Sequence, residues 1–373
     1  MGWCLCKGVI SGLVAGLTLF VIQPSVCQGQ AANFVPPPRN IADITSILDQ
    51  EKPDPAKLAK MTAEAEAQAP PGVNGRALSD FYYKRAQVRS LLGRTQGAIE
   101  DSELAIKNAE GADYGDTISR IEQFLYRQLR NVGQNKRSLD TINSQIRYFS
   151  SAPKGKGRLF GLYLAAGNGY LTIGDLEKAK SYFQRNNALY AESRSWPNVE
   201  MYRSSWLSNV EEGNARMFDS SGRFADAEKA FHHAVEQMKD AVVQSTKWPN
   251  KPAGGILETI VDVDHAFEGR AKARQGRMAE AEVDIRQALL ASLGRVGKYH
   301  PDTALILSLL TGLLMEQGRY PEAEHLARAT IDIYRGMGYP EDASWLINSQ
   351  IVLATLMNFQ RRPSEAAEIY AQI

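Results

Sequence analysis

Ala166-Gly167-Asn168-Gly169-Tyr170-Leu171-Thr172-Ile173-Gly174-Asp175-Leu176-Glu177-Lys178-Ala179-Lys180-Ser181-Tyr182-Phe183 decides how the chain is read. Gly174 tolerates the left-handed backbone that ends a helix. Ala179 and Phe183 are four apart, so they share one face of the helix that follows. Gly167, seven residues before the turn, puts a small residue on the preceding helix. Small against small lets two helices approach closely, and the large side chain fills the groove beside them. The stretch predicts a tight helical hairpin.

The same pattern recurs. Gly-Arg-x-x-x-Ala appears at Gly93…Ala98, Gly222…Ala227, Gly276…Ala281 and Gly318…Ala323, with small residues seven before the turn at Ala86, Ala215 and Gly269. The first interval, from Gly93 to Gly174, is nearly twice the last. A degenerate turn at Gly133 divides it, with Ser138 for the alanine and Ile142 for the aromatic. A seventh unit follows Arg361-Arg362-Pro363, because proline is tolerated at a helix start. The spacing predicts an all-α solenoid of about seven hairpins over residues 77–373, preceded by a helix pair at 41–76 that caps the stack. Loops are expected at Trp196-Pro-Asn198, from Trp248 to Gly255, and at Lys298-Tyr-His-Pro301.

These motifs resemble the tetratricopeptide repeat, with its W-x2-L-G-x2-Y…A-x3-F…P pattern. The resemblance implies a right-handed superhelix whose first helices line a concave groove that binds proteins or peptides. It also implies groove-facing residues 13, 10, 6 and 3 positions before each turn glycine. Carried onto this chain, these include Tyr83 and Gln87, then Arg120, Gln123, Arg127 and Arg130, then Asn168, Glu212 and Arg216, and Arg270. Three arginines at i, i+7 and i+10 share one helical face. Arginine forks suit carboxylates, so an acidic or carboxylate-bearing segment is the expected ligand. The chaperone-tail clamp of that family uses Lys and Asn where Tyr83 and Gln87 stand here, so that partner class is not implied.

The first 27 residues read as an export signal. Lys7 is the only charge before Arg39, an apolar run follows from Val9 to Ile22, and Pro24 and small residues come next. The run is shorter than the roughly 20 residues a spanning helix needs. The expectation is a periplasmic or secreted protein without a membrane span after cleavage, joined to its folded part by the Pro-rich segment 28–40. Cys4, Cys6 and Cys27 all lie in or at the end of that signal, so the mature chain would have no thiol chemistry. With 43 basic and 42 acidic residues the chain carries no whole-chain basic footprint for nucleic acid.

Catalytic and metal motifs are missing from the sequence. There is no H-E-x-x-H, G-x-S-x-G or phosphate-binding glycine loop, and no cofactor or metal is expected. Asp262-x-Asp264-His265 reads as a helix start with acids favourable to the helix dipole. Tyr163, Tyr170, Tyr182 and Tyr190 read as core packing with the hydroxyl at the edge. The chain is thus expected to be a non-enzymatic scaffold. A second resemblance, of residues 43–57 and the long repeats to the N-terminal half of bacterial repeat proteins ending in a caspase-like CHAT domain, implies instead the recognition arm of a protease. Ala366, Ile369, Tyr370 and Ile373 are expected to form an uncovered apolar stripe at a truncated C-terminal hairpin, so that the segment from about Ser344 frays or the chain self-associates through it.

Overall fold

The computed structural model describes residues 34–50, 54–109, 111, 113–152, 154–197, 199–248 and 255–373. The expected signal segment, its cysteines, and most of the 248–255 loop lie outside the described residues. Among the described residues there is no strand, and no helix is long and apolar enough to cross a membrane.

Two helices, α1 (Ala42–Gln50) and α2 (Pro55–Glu66), precede seven hairpins. These are α3 (Gly75–Leu91) with α4 (Thr95–Asn108), α5 (Ser119–Asn131) with α6 (Asn135–Ser151), and α7 (Arg158–Thr172) with α8 (Leu176–Ser193). They continue with α9 (Val199–Ser220) and α10 (Phe224–Ser245), α11 (Ile256–Ala273) and α12 (Met278–Val296), α13 (Pro301–Glu316) and α14 (Tyr320–Gly336), and α15 (Ser344–Phe359) and α16 (Pro363–Gln372). The protein is an all-α repeat solenoid, and the divided turn at Gly133 is one of its hairpins.

Each turn is built the same way. Gly93 has φ +66°, its N–H donates to the Ser90 carbonyl, and the Arg94 N–H donates five residues back to Arg89 at 2.9 Å. That double bond closes the helix end. The seventh turn lacks glycine, and Arg361 takes the same left-handed conformation at φ +60°. Packing within the hairpins follows the small-residue pattern. Ala86, Ala98, Ala215 and Ala227 are fully buried. The Phe183 ring lies against both Gly167 of α7 and Gly213 of α9, leaving no room for a Cβ at either position.

An ionic ladder joins consecutive hairpins. Glu228, Glu282 and Glu324 each follow the turn alanine of their own unit. Each accepts from the arginine after the next turn: Arg277 on Glu228 at 2.6 Å, Arg319 on Glu282 at 2.8 Å, and Arg362 on Glu324 at 2.8 Å. The glutamine two residues before each arginine donates to the same carboxylate, Gln275 at 2.7 Å, Gln317 at 3.0 Å and Gln360 at 2.8 Å. At the other end of the chain, Glu66 of α2 meets Arg94 at 3.2 Å and so supplies the acid a preceding unit would have supplied.

The N-terminal helices do not stack together on the first hairpin as the sequence suggested. The buried face of α1, Ile44 and Leu48, belongs to one apolar cluster with residues of α12, α13, α14 and α15. Asp43 accepts from Arg286 of α12 at 2.7 Å, Asn40 carbonyl oxygen accepts from the same guanidinium at 2.9 Å, and Lys298 donates to the Leu48 carbonyl at 2.6 Å. The turn of the first hairpin also meets the loop between α14 and α15, where the Tyr339 ring covers Gly93 and where Leu58 and Leu92 approach Gly338. The solenoid therefore closes on itself. The physical reason is that apolar residues at i, i+3 and i+7 of an isolated helix need a covering surface, and curvature brings the fifth to seventh hairpins round to provide it.

Candidate functional site

Side chains from the first helices of hairpins one, two and four come within electrostatic reach of one another. From α5 come Arg127 and Arg130, both exposed to solvent. Arg127 Nε donates to the Gln123 carbonyl of its own helix at 3.1 Å. Neither guanidinium has a carboxylate within ion-pair distance among the described residues. From α9 comes Arg216, which pairs with Glu212 at 2.9 Å one turn earlier. Its guanidinium also lies over the Phe267 ring of α11, 4.4 Å from the centroid, an arrangement that fixes a cation on an aromatic face.

Arg130 and Arg216 stand two hairpins apart in sequence order, yet they repel one another electrostatically. Desolvation, and then the charges of Arg216 and Arg127 against the favourable pull of Tyr126 and Glu212, hold the Arg130 guanidinium below its ordinary range. The side chain touches solvent, yet enough protein surrounds it to desolvate the guanidinium. On α3, Tyr83 is half-buried and stacks edge-on against Phe124, with ring centroids 5.8 Å apart. Burial pushes its phenol up, while the nearby charges of Arg127 and Arg120 and a hydrogen bond with Gln87 pull it the other way. Tyr83, Gln87, Arg120, Arg127, Arg130 and Arg216 therefore lie in one electrostatic neighbourhood.

Three of the sequence-derived positions lie in other surroundings. Gln123 is tied into its own repeat, donating to Ser119 Oγ at 3.2 Å and reaching Gln145 of α6. Asn168 is half-buried, and its side-chain carbonyl oxygen has no hydrogen-bond partner. Arg270 lines a recess with Leu309, Leu313 and Glu316 of α13.

The structure corrects the helix-start reading of Asp262 and Asp264. Helix α11 begins at Ile256, after Gly255 with φ +77°, so Asp262 and Asp264 sit in its second and third turns and not at its start. Asp262 is buried and bonded to Arg295 at 3.1 Å. Asp264 is 2% exposed and its Oδ2 is unpaired. Burial first, and then the Glu212 carboxylate, push Asp264 well above the usual carboxylate range despite Arg216. Acids at mid-helix positions of a first helix were the available signal.

The remaining titratable features are structural. His232 Nδ1 lies 3.2 Å from Glu268, and Lys272 bridges Glu268 and Asp284 between α10, α11 and α12. No group of three or more metal-ligating side chains occurs among the described residues. Tyr182 donates to Asn143 at 2.5 Å and stacks on Tyr170, a packed arrangement with hydroxyls at the edge.

Residues 265–336, from α11 to the end of α14, match the tetratricopeptide repeat family. No curated protein matches the chain. Among solved structures, similarity extends to the apo quorum sensor NprR from B. thuringiensis, at 13% identity, 85% of this chain, 79% of that one and a TM-score of 0.49. It extends also to the apo form of RapI, at 12% identity, 76% of this chain, 90% of that one and a TM-score of 0.48. BtubC (BKLC) from P. vanneervenii is similar at 15% identity, 64% of this chain, 87% of that one and a TM-score of 0.44.

Proposed function

We propose that this repeat scaffold works by binding, without catalysis, and that its ligand is an acidic or carboxylate-bearing protein segment held in the groove. The observation that carries this is the cationic excess on the inner face of α5 and α9. Among the described residues Arg127 and Arg130 have no ion-pair partner, Arg216 shares their field, and Glu212 is already committed to Arg216. Unpaired like charges in a confined site cost free energy that an anionic ligand removes. Arginine forks then add directed, bidentate bonds to each carboxylate, while Tyr83 and Gln87 offer a hydroxyl and an amide alongside. Across the whole chain the net charge is only +1, so the excess is a property of this face and not of the protein.

Export belongs to the same proposal and rests on the sequence of residues 1–27. N-terminal sequencing of protein from the periplasm or medium should find a start near residue 28, and a chain retaining Met1 on the membrane contradicts it. The binding proposal is tested by titrating the protein with fluorescent oligoglutamate and oligolysine peptides of equal length. Oligoglutamate should bind in a salt-sensitive manner and oligolysine should not. Equal binding of both, or of neither, refutes the groove as an acidic-segment site.

A further inference from the structure

Resting on that reading of the groove, we infer that the interior admits a free, flexible chain end and excludes an acidic stretch anchored in a folded protein at both of its ends. An open superhelical groove can be entered from the side, so a loop presented by a folded partner can lie down in it. This groove has no open side at the overlap. The turn of the first hairpin meets the loop between α14 and α15 through Gly93 and Tyr339, and Leu58 and Leu92 pack toward Gly338. Helix α1 then fastens the overlap from the far end of the sequence, with Arg286 gripping both Asp43 and the Asn40 carbonyl and Lys298 gripping the Leu48 carbonyl.

The fastening is strong where it counts. Arg286 is 3% exposed and Glu282 beneath it is 2% exposed, so that pair is shielded from water and salt, while Asp43 at its outer end stays partly exposed. Apolar burial of Ile41, Ile44 and Leu48 in the same cluster as α12–α15 adds to it. What remains for a ligand is entry along the axis of the ring. Side chains from α5 and α9, two hairpins apart, also come within electrostatic reach of one another at the cationic face. A chain end enters as a single strand. An anchored loop must enter as two strands side by side, spaced by about 4.8 Å or more, which doubles the cross-section it needs. Its two folded flanks would also have to pass the ring.

The test displays one acidic sequence in three settings against the intact protein: a short free oligoglutamate peptide, the same run fused to one terminus of a small globular carrier, and the same run inserted in a surface loop of that carrier. Free and terminally fused runs should bind with similar affinity, and the loop-inserted run about tenfold or more weaker. Loop and terminal runs binding equally overturns this inference alone and leaves the acidic groove standing. Failure of every run to bind overturns both. Fusions to the amino and carboxyl ends of the carrier, measured separately, report which polarity of chain end is taken.

Discussion

Replacing Gly167 by alanine tests the packing on which the whole stack depends. A Cβ built on Gly167 would fall on the Phe183 ring, 2.5 Å from Cζ and 2.8 Å from Cδ1, where ordinary contact needs about 3.4 Å or more. The ring has little room to retreat, because Gly213 of α9 packs against it as well, where a Cβ would stand 2.7 Å from Cδ1. Overpacking of this kind costs about 1–3 kcal/mol. Alanine in a helix interior recovers about 1 kcal/mol over glycine, so the net expectation is a loss of about 0–2 kcal/mol, against a gain at Gly161. Gly161 supplies the internal control. It lies on the same helix with nothing within 4 Å of a built Cβ, so Gly161→Ala should gain up to about 1 kcal/mol. Urea unfolding followed by circular dichroism and tyrosine fluorescence reads both variants. Adding Phe183→Leu should offset part of the Gly167→Ala loss. If Gly167→Ala is as stable as Gly161→Ala, the hairpin register argued here is refuted.

Other outcomes follow from single features of the structure. Arg361→Gly should stabilise the seventh hairpin by about 1 kcal/mol, because a non-glycine residue in the left-handed region costs about 1–2 kcal/mol; an unchanged or lower urea midpoint contradicts this. Ala98→Glu or Ala227→Glu places an unpartnered charge at a fully buried helix contact and should cost several kcal/mol, at least about 3; near-wild-type melting would mean the contact is elsewhere. Burial alone would push Glu282 up, but hydrogen bonds from Gln317, Arg319 and Arg286 outweigh it and hold its pKa below 4.5. A folded-state pKa below the unfolded one means that this stability is fully present above pH 4.5 and is lost as pH falls through the folded value. Melting curves should therefore drop more steeply below pH 4.5 for the wild type than for Glu282→Gln, which has already lost that contribution; parallel curves would show that the ladder carries no acid sensitivity.

The local geometry of the repeats was legible in the sequence because it depends on local spacing. Glycine at the left-handed turn, a small residue seven before it, and alanine five after it are constraints within one hairpin, and even the degenerate turn at Gly133 kept its φ of +73°. The ladder of Glu228, Glu282 and Glu324 was written beside each turn alanine, but an acid on a helix surface has no meaning until its partner in the next hairpin is placed. Closure was not legible at all. Asp43 and Arg286 are 243 residues apart, and only the accumulated curvature of the stack brings them together. The same holds for the candidate site. The alignment of Arg120, Arg127 and Arg130 follows from helical spacing within α5, whereas the approach of Arg216 and the desolvation of Arg130 arise from tertiary curvature. Asp264 was misjudged because its helix starts earlier, at Ile256, than the charge pattern suggested.

The cationic interior is the centre of the account, and the double variant Arg127→Gln, Arg130→Gln tests it most directly. Neither guanidinium has an ion-pair partner among the described residues and Arg130 is desolvated beside like charges, so the variant should fold and be at least as stable as the wild type. Oligoglutamate affinity, read by fluorescence anisotropy at fixed salt, should fall by at least about tenfold, corresponding to the loss of about 1.4 kcal/mol or more of charge-assisted bonding. Its dependence on salt concentration should become shallower as well. Wild-type affinity and an unchanged salt dependence in a folded double variant would contradict the claim that this face holds the ligand.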